Sequence, residues 1–402
     1  MRSQILAGFT LAIIGCSPSS QVPREWAGST RDSAGVIVVE NPESTLWTSD
    51  TQWRLQEDLR IGVADGDPVR QFSSIDDIGV DGSGRIYILD GSEIRVFSGK
   101  GEFVRTIGRQ GSGPGELARP SAALVGAGDT IFLPDTRNQR VQRFLSDGSD
   151  AGSFPISPNE GISLGWAIRP DGTLLQEVRT LPSREANERI LLLVRGGEGE
   201  VLDTLLEMPV GEAMAIRNGQ PQMTLFGPEP LWTVLTDGRI VSGRTSEYRL
   251  ELRTADGSLE RVVGKPFERR SFSSADQREF RASLTASMEG QPPSPARDRL
   301  VRSMNYADHY PAYASLFGGP DGTTWVQRAK DVSSITESDL EAYDVRAIAA
   351  STYDVFDAQG RYLGVIAPPD GFEPLHSVGE YVYGIGRDDL GVQHLVRLRV
   401  VK

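Results

Sequence analysis

Two stretches near the front of the chain share one pattern: Gly79-Val-Asp-Gly-Ser-Gly-Arg-Ile-Tyr-Ile-Leu-Asp90 and Val125-Gly-Ala-Gly-Asp-Thr-Ile-Phe-Leu-Pro-Asp135. Each starts with a Gly/Asp turn, continues as an apolar run and ends in an aspartate, and the two aspartates lie 45 residues apart. A second apolar run follows each copy, at Ile94–Phe97 and Val141–Phe144. Short β-prone runs separated by such turns are typical of antiparallel hairpins. A repeat of about 40–50 residues with roughly four runs predicts a blade of a β-propeller.

The same rhythm continues more weakly to the end of the chain. Six turns of the kind that opens a blade can be counted, near Gly82, Gly126, Gly172, Gly238, Gly322 and Gly379. The sequence therefore predicts an all-β fold, a six-bladed β-propeller, in which residues 35–402 form a single domain.

The segment between the two copies reads Gly108-Arg-Gln-Gly-Ser-Gly-Pro-Gly-Glu-Leu-Ala-Arg-Pro120. With Asp135-Thr-Arg-Asn138 further on, it resembles the NHL-repeat signature, in which a Gly-Pro-Gly-Glu loop joins one blade to the next. The glycines could suggest a phosphate loop, but neither a Walker lysine nor a strand–loop–helix context follows. We therefore interpret the loop as a blade connector that needs Gly and Pro for its turns.

The first residues resemble the leader of a bacterial lipoprotein. An apolar run from Ile5 to Ile14 is too short to cross a bilayer core of about 30 Å as a helix, but has the length of a signal-peptide core. Ile13-Ile14-Gly15-Cys16 resembles a lipobox. We expect residues 1–15 to be a signal peptide, Cys16 to carry the lipid, and residues 16–34 to form a tether.

A ring of blades has to be closed, since an incomplete blade exposes two strand edges. Gly35-Val-Ile-Val-Val-Glu40 is a short apolar run ahead of the first repeat, and we assign it as the N-terminal strand that completes blade six. Trp53–Ile61 is interpreted as a further strand of that blade or as its covering.

Residues 266–313 interrupt the strand pattern between blades four and five. Ser274-Ala-Asp-Gln277 is a candidate capping box, and Phe280, Leu284 and Met288 share one face of the helix that would follow. A second helix is predicted after Ser294-Pro295, with Leu300 and Met304 on one face. This helical insertion could be a structural cap, or a lid or docking surface over a ligand-binding face.

Composition excludes several functions. The formal net charge of −13 and the absence of a basic cluster with aromatics disfavour nucleic acid as a partner. One cysteine allows neither an internal disulfide nor a thiolate metal cluster. No Gly-x-Ser-x-Gly motif occurs, so no catalytic residue is assigned.

The candidate ligand-binding residues come from two regions. Asp90, Asp135, Arg137 and Asn138 lie in matching loops and could face a ligand or cation at the channel mouth, although an aspartate at that position commonly binds turn backbone. His309 and Tyr310 end the insertion.

Metal binding stays open from the sequence. Amidating lyases of the NHL type hold zinc through several histidines, and lactonase-type propellers hold calcium in the channel. The histidines here, His309, His376 and His394, match no such motif, and His394 is expected to lie on a strand face.

Two functions from different classes follow from the resemblance to NHL-like lipoproteins of the bacterial envelope. The first is a binding module without catalysis and without a cofactor, anchored extracytoplasmically at the outer membrane or periplasmic side, with an envelope protein, peptide or glycan as partner. The alternative is a metal-dependent lyase or lactonase at the channel mouth, with calcium as the ion that its carboxylates could hold.

Overall fold

The computed structural model describes residues 25–182, 187–217, 220–286, 295, 304–330, 334 and 349–402. In this part of the chain, six sheets form the blades of a propeller, and the first strand of each lines a central channel. The predicted all-β six-bladed propeller is confirmed. Leader residues 1–15 and the predicted lipidation site Cys16 lie outside the described residues.

Three strands precede the first repeat: β1 (Ser29–Ser33), β2 (Val36–Glu40) and β3 (Arg54–Ile61). Blade one contains β4 (Ile75–Val80), β5 (Ile86–Asp90), β6 (Glu93–Phe97) and β7 (Phe103–Ile107). Blade two contains β8 (Leu124–Val125), β9 (Ile131–Asp135), β10 (Arg140–Phe144) and β11 (Asp150–Pro155). Blade three contains β12 (Ile162–Ile168), β13 (Leu174–Arg179), β14 (Arg189–Arg195) and β15 (Val201–Pro209).

A hairpin of β16 (Met214–Arg217) and β17 (Gln220–Leu225) separates blades three and four. Blade four contains β18 (Pro230–Val234), β19 (Ile240–Arg244), β20 (Arg249–Arg253) and β21 (Leu259–Gly264). The insertion holds α1 (Ser274–Ala286) and β22 (Asn305–Tyr306). Blade five contains β23 (Ser315–Gly318), β24 (Thr324–Ala329), β25 (Ala349–Phe356) and β26 (Tyr362–Ile366). Blade six contains β27 (Glu373–Val378), β28 (Tyr381–Arg387) and β29 (Gln393–Val401).

The blades bury both of their faces. In β5, Ile86 and Ile88 pack toward blade six, whereas Tyr87 and Leu89 pack toward blade two. Successive side chains of a strand point to opposite faces, so a blade between two neighbours needs apolar residues at every position. Similar apolar clusters lie between all six pairs of neighbouring blades.

The strand that closes the ring is β3, so the assignment of Gly35–Glu40 to this position was wrong. β3 pairs antiparallel with β29 from Arg54 to Ile61, while β2 pairs parallel with β21 on the outer edge of blade four. Length explains the choice, because β29 has nine residues and β3 has eight, against five in β2. Leu55, Leu59 and Ile61 also supply apolar contacts on both sides of blade six.

The predicted tether also ends earlier than residue 34. Ser29–Ser33 form β1, which pairs with β2 and makes blade four a six-stranded sheet. Ahead of it, the Trp26 indole donates a hydrogen bond to Asn41 Oδ1 at 3.0 Å. The sheet therefore begins at Ser29, inside the segment assigned to the tether.

The insertion has an aromatic core of its own. Its helix α1 is capped by Ser273 and Asp276, which bond reciprocally one residue ahead of the predicted capping box. Phe280 packs with Phe272 and Tyr310 of the insertion and with Phe226, which follows the β17 hairpin. Most residues of the predicted second helix, which would follow Ser294-Pro295, lie outside the described part of the chain. The last residue assigned to the insertion, Tyr313, instead belongs to the core between blades four and five.

Candidate functional site

The loop aspartates predicted from the repeat hold blade connectors in place. Asp135 is fully buried and accepts hydrogen bonds from the backbone N–H groups of Ala118 and Arg119 at 2.8 and 2.9 Å. It also accepts from Asn138, whose side-chain amide donates at 2.7 Å. These oxygens are already engaged by fixed donors, which favours a structural role.

Asp90 occupies the equivalent position in blade one. Its carboxylate accepts from the backbone N–H groups of Ser73 and Ser74 and lies 2.9 Å from an Arg95 nitrogen. Arg137, in the matching loop of blade two, is exposed. The structure therefore does not gather these four residues at the channel.

A pocket of about 450 Å³ lies between blades four and five beneath the insertion. We call it the insertion pocket. The residues that line it are Tyr248, Lys265, Pro266, Phe267, Glu268, Arg270, Tyr310, Pro311, Ala312, Arg328, Ala329, Lys330 and Asp354. Of the residues proposed from sequence, Tyr310 lines this pocket, whereas His309 pairs with Ser271 in an isolated β-bridge beside it.

A buried carboxylate organises the cations of the insertion pocket. Asp354 is 1% exposed and lies 2.9 Å from Lys265 Nζ and 2.7 Å from an Arg328 guanidinium nitrogen. The hydroxyls of Tyr248 and Tyr362 donate to it at 2.6 and 2.9 Å. The two cations and two hydroxyls therefore satisfy a charge that would be costly to bury alone.

The pKa shifts in this cluster follow from burial and charge. Burial acts to raise the pKa of Asp354, but Lys265 and the hydrogen bonds from Arg328 and Tyr248 outweigh it and hold that pKa below its ordinary value. Burial lowers the pKa of Lys265, and Asp354 offsets part of this effect. The Lys265 ammonium also lies 4.2 Å from the centre of the Tyr362 ring, a cation–π contact.

The second concave site is the central channel, a cavity of about 600 Å³. We call it the channel cavity. Its wall includes the first strands of all six blades and several of the turns that follow them. Apolar and polar groups share this wall about equally, and Asp77 on β4 and His376 on β27 are among the polar ones.

Asp77 and His376 are enclosed by protein but keep part of their surface toward the channel cavity. Burial raises the pKa of Asp77 to about 6, against the opposing hydrogen bonds from the backbone of Ala123 and Ile78. Burial alone lowers the pKa of His376 to about 4. At neutral pH the carboxyl is therefore mainly ionised and the imidazole neutral.

The channel cavity does not fit the calcium that a lactonase would need. Calcium takes six to eight oxygen ligands. The other carboxylates of its wall are Asp81, which accepts from Ser83, Arg85 and Tyr87, and Asp129, which lies 3.0 Å from Arg85. Across the described residues, no three His, Cys, Asp or Glu side chains are placed to hold a metal. The remaining histidine, His394, lies on strand β29 with Nε2 3.3 Å from Asp388.

Sequence reasoning missed the two acidic residues at the centre of these sites. Asp354 stands inside the apolar run Tyr353-Asp-Val-Phe356 and Asp77 inside Ile75-Asp-Asp-Ile78. A charged residue at a position where a buried strand needs an apolar one was the available signal. Lys265 and Tyr248, which contact Asp354, come from blade four, and Ala123, which contacts Asp77, comes from blade two, so these contacts are not visible in the sequence.

Comparison with known proteins supports the fold. Residues 70–150 match the model of the DUF5128 family, described as a 6-bladed beta-propeller. A "Putative exported protein" from Bacteroides fragilis superposes with a TM-score of 0.53 at 16% identity, covering 91% of this chain and 100% of that one. No curated protein sequence matches the chain.

Two enzymes are among the similar structures at lower scores. Virginiamycin B lyase from Staphylococcus aureus gives a TM-score of 0.44 at 10% identity over 87% of this chain and 100% of the lyase. A gluconolactonase from Xanthomonas campestris gives 0.39 at 11% identity over 79% and 83%. The observed sheets and the family model together make the chain a six-bladed β-propeller. Among the described residues, no helix has the length and apolar character to span a bilayer.

Proposed function

We propose that this protein is a lipid-anchored extracytoplasmic binding module that recognises an envelope protein, peptide or glycan through a carboxylate group of the ligand. The observation that carries the proposal is the insertion pocket, where Asp354 holds Lys265 and Arg328 in fixed positions beside an aromatic wall. The anchor is inferred from Cys16 and the apolar run before it. Export would agree with the description of the similar Bacteroides fragilis protein.

Preorganisation makes these cations suitable for binding. Long cationic side chains lose rotamer entropy when a ligand fixes them, at roughly 0.5–1.5 kcal/mol each. Here Asp354 has already fixed Lys265 and Arg328, and the hydrogen bonds to it use one Lys265 proton and the Nε and Nη2 groups of Arg328. The other N–H groups of these cations remain to donate to a ligand.

The charge of the pocket selects the kind of ligand. In its described wall, Lys265 and Arg328 meet at Asp354, Arg270 lies 3.9 Å from Asp276 outside the wall, and Lys330 and Glu268 are the other charged residues. The whole chain carries a formal charge of −13, which repels extended polyanions. We therefore expect a compact group with one or two carboxylates. Such a group is found on an acidic peptide or on a sugar acid.

The size and walls of the pocket agree with such a ligand. A volume of about 450 Å³ lies within the usual range for small-molecule sites, roughly 300–1,000 Å³. Phe267, Tyr310 and Pro311 provide flat apolar surface on which a peptide side chain or a sugar ring could stack.

Paired ligands test the proposal. Isothermal titration of the purified protein with an N-acetylated, C-amidated glutamate tripeptide, its equally capped glutamine analogue, glucuronate and glucose separates the carboxylate from its carrier. We expect each acid to bind at least about ten-fold more tightly than its neutral partner, since a charge-assisted contact is lost. The acid that binds more tightly then shows whether the carboxylate that the pocket recognises belongs to a peptide or to a glycan.

The matched variants are Arg328→Gln and Arg361→Gln. Both arginines pair with an aspartate in blade five and both side chains are 44% exposed, but only Arg328 lines the pocket. Arg328→Gln should abolish the preference for acids and Arg361→Gln should preserve it. Equal affinity of wild type for acids and neutral analogues would contradict the proposal.

A further inference from the structure

The wall of the channel cavity contains the carboxylate of Asp77, which takes no part in the insertion pocket. Asp77 Oδ2 accepts a hydrogen bond from the Ala123 backbone N–H at 2.8 Å, and Asp77 forms no ion pair among the described residues. Burying an ionised carboxyl without a cation is costly, and most proteins replace or pair such a group. The chain instead keeps Asp77 on the wall of a cavity of about 600 Å³.

Two β-bulges lie next to polar residues of the cavity wall. The pairing of β4 with β5 shifts by a bulge between Ile75 and Asp77, and that of β27 with β28 shifts between Pro374 and His376. A bulge bends its strand and re-aims the next side chain, and bulges are over-represented beside functional sites. The inner strands of neighbouring blades six and one thus each carry a bulge next to a polar residue of the cavity wall.

The remaining wall favours an organic cation over a metal ion. The oxygens of Asp81 are engaged by Ser83, Arg85 and Tyr87. Asp77 therefore offers one carboxylate, where a metal would need several oxygen ligands. Aromatic side chains, in contrast, suit an ammonium group with an apolar body, and Trp166 and Phe317 line the same cavity.

We propose that the channel cavity is a second ligand site, which binds a small organic ammonium ion with Asp77 as its counter-ion. The ammonium group lies against the Asp77 carboxylate, and its apolar body fills the cavity between Trp166, Phe317 and the aliphatic residues of the inner strands. This site is separate from the insertion pocket, so it does not depend on the function proposed there.

The other charged groups around the cavity leave the field at this site negative. Asp76 precedes Asp77 on the same strand, and the turns at the end of the cavity contribute Arg169 together with Asp81 and Asp129, which share Arg85 as their counter-ion. His376, on β27, stays neutral because burial lowers its pKa to about 4. A cationic ligand therefore meets an excess of negative charge.

Two probes that differ mainly in charge test the proposal: n-butylammonium and n-butanol, titrated calorimetrically into the full-length protein at pH 7.5, with calcium chloride as a third arm. We expect n-butylammonium to bind at least about ten-fold more tightly than n-butanol. Asp77→Asn should remove at least about ten-fold of that affinity, because it keeps the shape and the acceptor for Ala123 but not the charge.

Asp76→Asn is the matched control. It removes the same charge one residue away, from an exposed side chain whose oxygens accept from Ser74 and Gly91. Water screens this exposed charge, so the control should lose less than about two-fold of the affinity of wild type. Trp166→Leu provides a second variant, with an expected loss of at least about three-fold for n-butylammonium, since it removes an aromatic wall. Equal weakening by Asp76→Asn and Asp77→Asn, equal affinity for the two probes, or binding of calcium in place of n-butylammonium would each overturn the proposal.

Discussion

Replacing Asp77 by asparagine should make the unliganded protein more stable at neutral pH. The carboxyl is buried in the channel wall, with Asp76 as a further repulsive charge, and its pKa rises from 3.8 to about 6 in the folded state. A folded state that binds this proton more tightly than the unfolded chain gains stability at low pH. That gain is lost as the pH increases from about 4 through 6.

The size of the effect follows from the shift. About two pKa units, at 1.36 kcal/mol each, set an upper bound of about 3 kcal/mol on the penalty above pH 6, because water in the channel screens a carboxyl that is only partly buried. An asparagine side chain at this position would carry no such penalty and would keep the acceptor for the Ala123 N–H. With an unfolding entropy of about 2.1 cal/mol/K per residue, the stability gain raises the melting temperature by at most roughly 4 °C in a chain of this length.

Calorimetry of both proteins from pH 4 to pH 8 measures the difference. The variant should match wild type near pH 4 and exceed it increasingly up to pH 7, and the difference between the curves cancels groups common to both. A melting-temperature gap that is constant over this range, or a variant less stable than wild type at pH 7, would refute the reasoning. A gain in stability at this position would agree with a trade-off between stability and ligand binding.

Three further predictions concern the anchor, the closure of the ring and the insertion. Cys16→Ala should lose acyl labelling and leave the membrane fraction, and retention in membranes after a high-salt wash would contradict the anchor. Deleting Arg54–Ile61 should unfold the whole ring, because blade six would then expose the edge of β29. Deleting Ser29–Ser33 removes only an exposed outer strand and should destabilise the protein little. Circular-dichroism melts measure both changes, and equal changes would show that β3 does not close the ring. Replacing residues 268–308 by a short Gly/Ser loop should leave the β signal and its melt intact but abolish binding at the insertion pocket, and unchanged affinity would exclude the insertion from recognition.

The last prediction tests whether Asp135 holds the connector between blades one and two in place. Asp135→Ala removes the acceptor of four hydrogen bonds in a fully buried position and leaves their donors unsatisfied. We expect a loss of about 2–4 kcal/mol in the free energy of unfolding, measured by urea denaturation. A loss below about 0.5 kcal/mol would show that this carboxylate does not hold the connector.

The amino-acid sequence determined the blades because their signals are local. Each Gly/Asp turn lies within a few residues of the strands that it joins. Residues close in the chain also decide which side chains of β5 face each neighbouring blade and which residues cap α1. Six turns and the spacing of Asp90 and Asp135 were therefore enough to predict six blades, and the capping residues near Ser274 were enough to predict the first helix of the insertion.

The tertiary structure decided what depends on partners far along the chain. Val36–Glu40 and Arg54–Ile61 both have strand-like patterns, and only the length and register of β29 selected the second to close the ring. Asp354 and Asp77 became candidate site residues because Lys265 comes from blade four and Ala123 from blade two. Such contacts carry no fixed sequence spacing, since the ring brings together residues up to hundreds of positions apart, and so only the folded chain shows them.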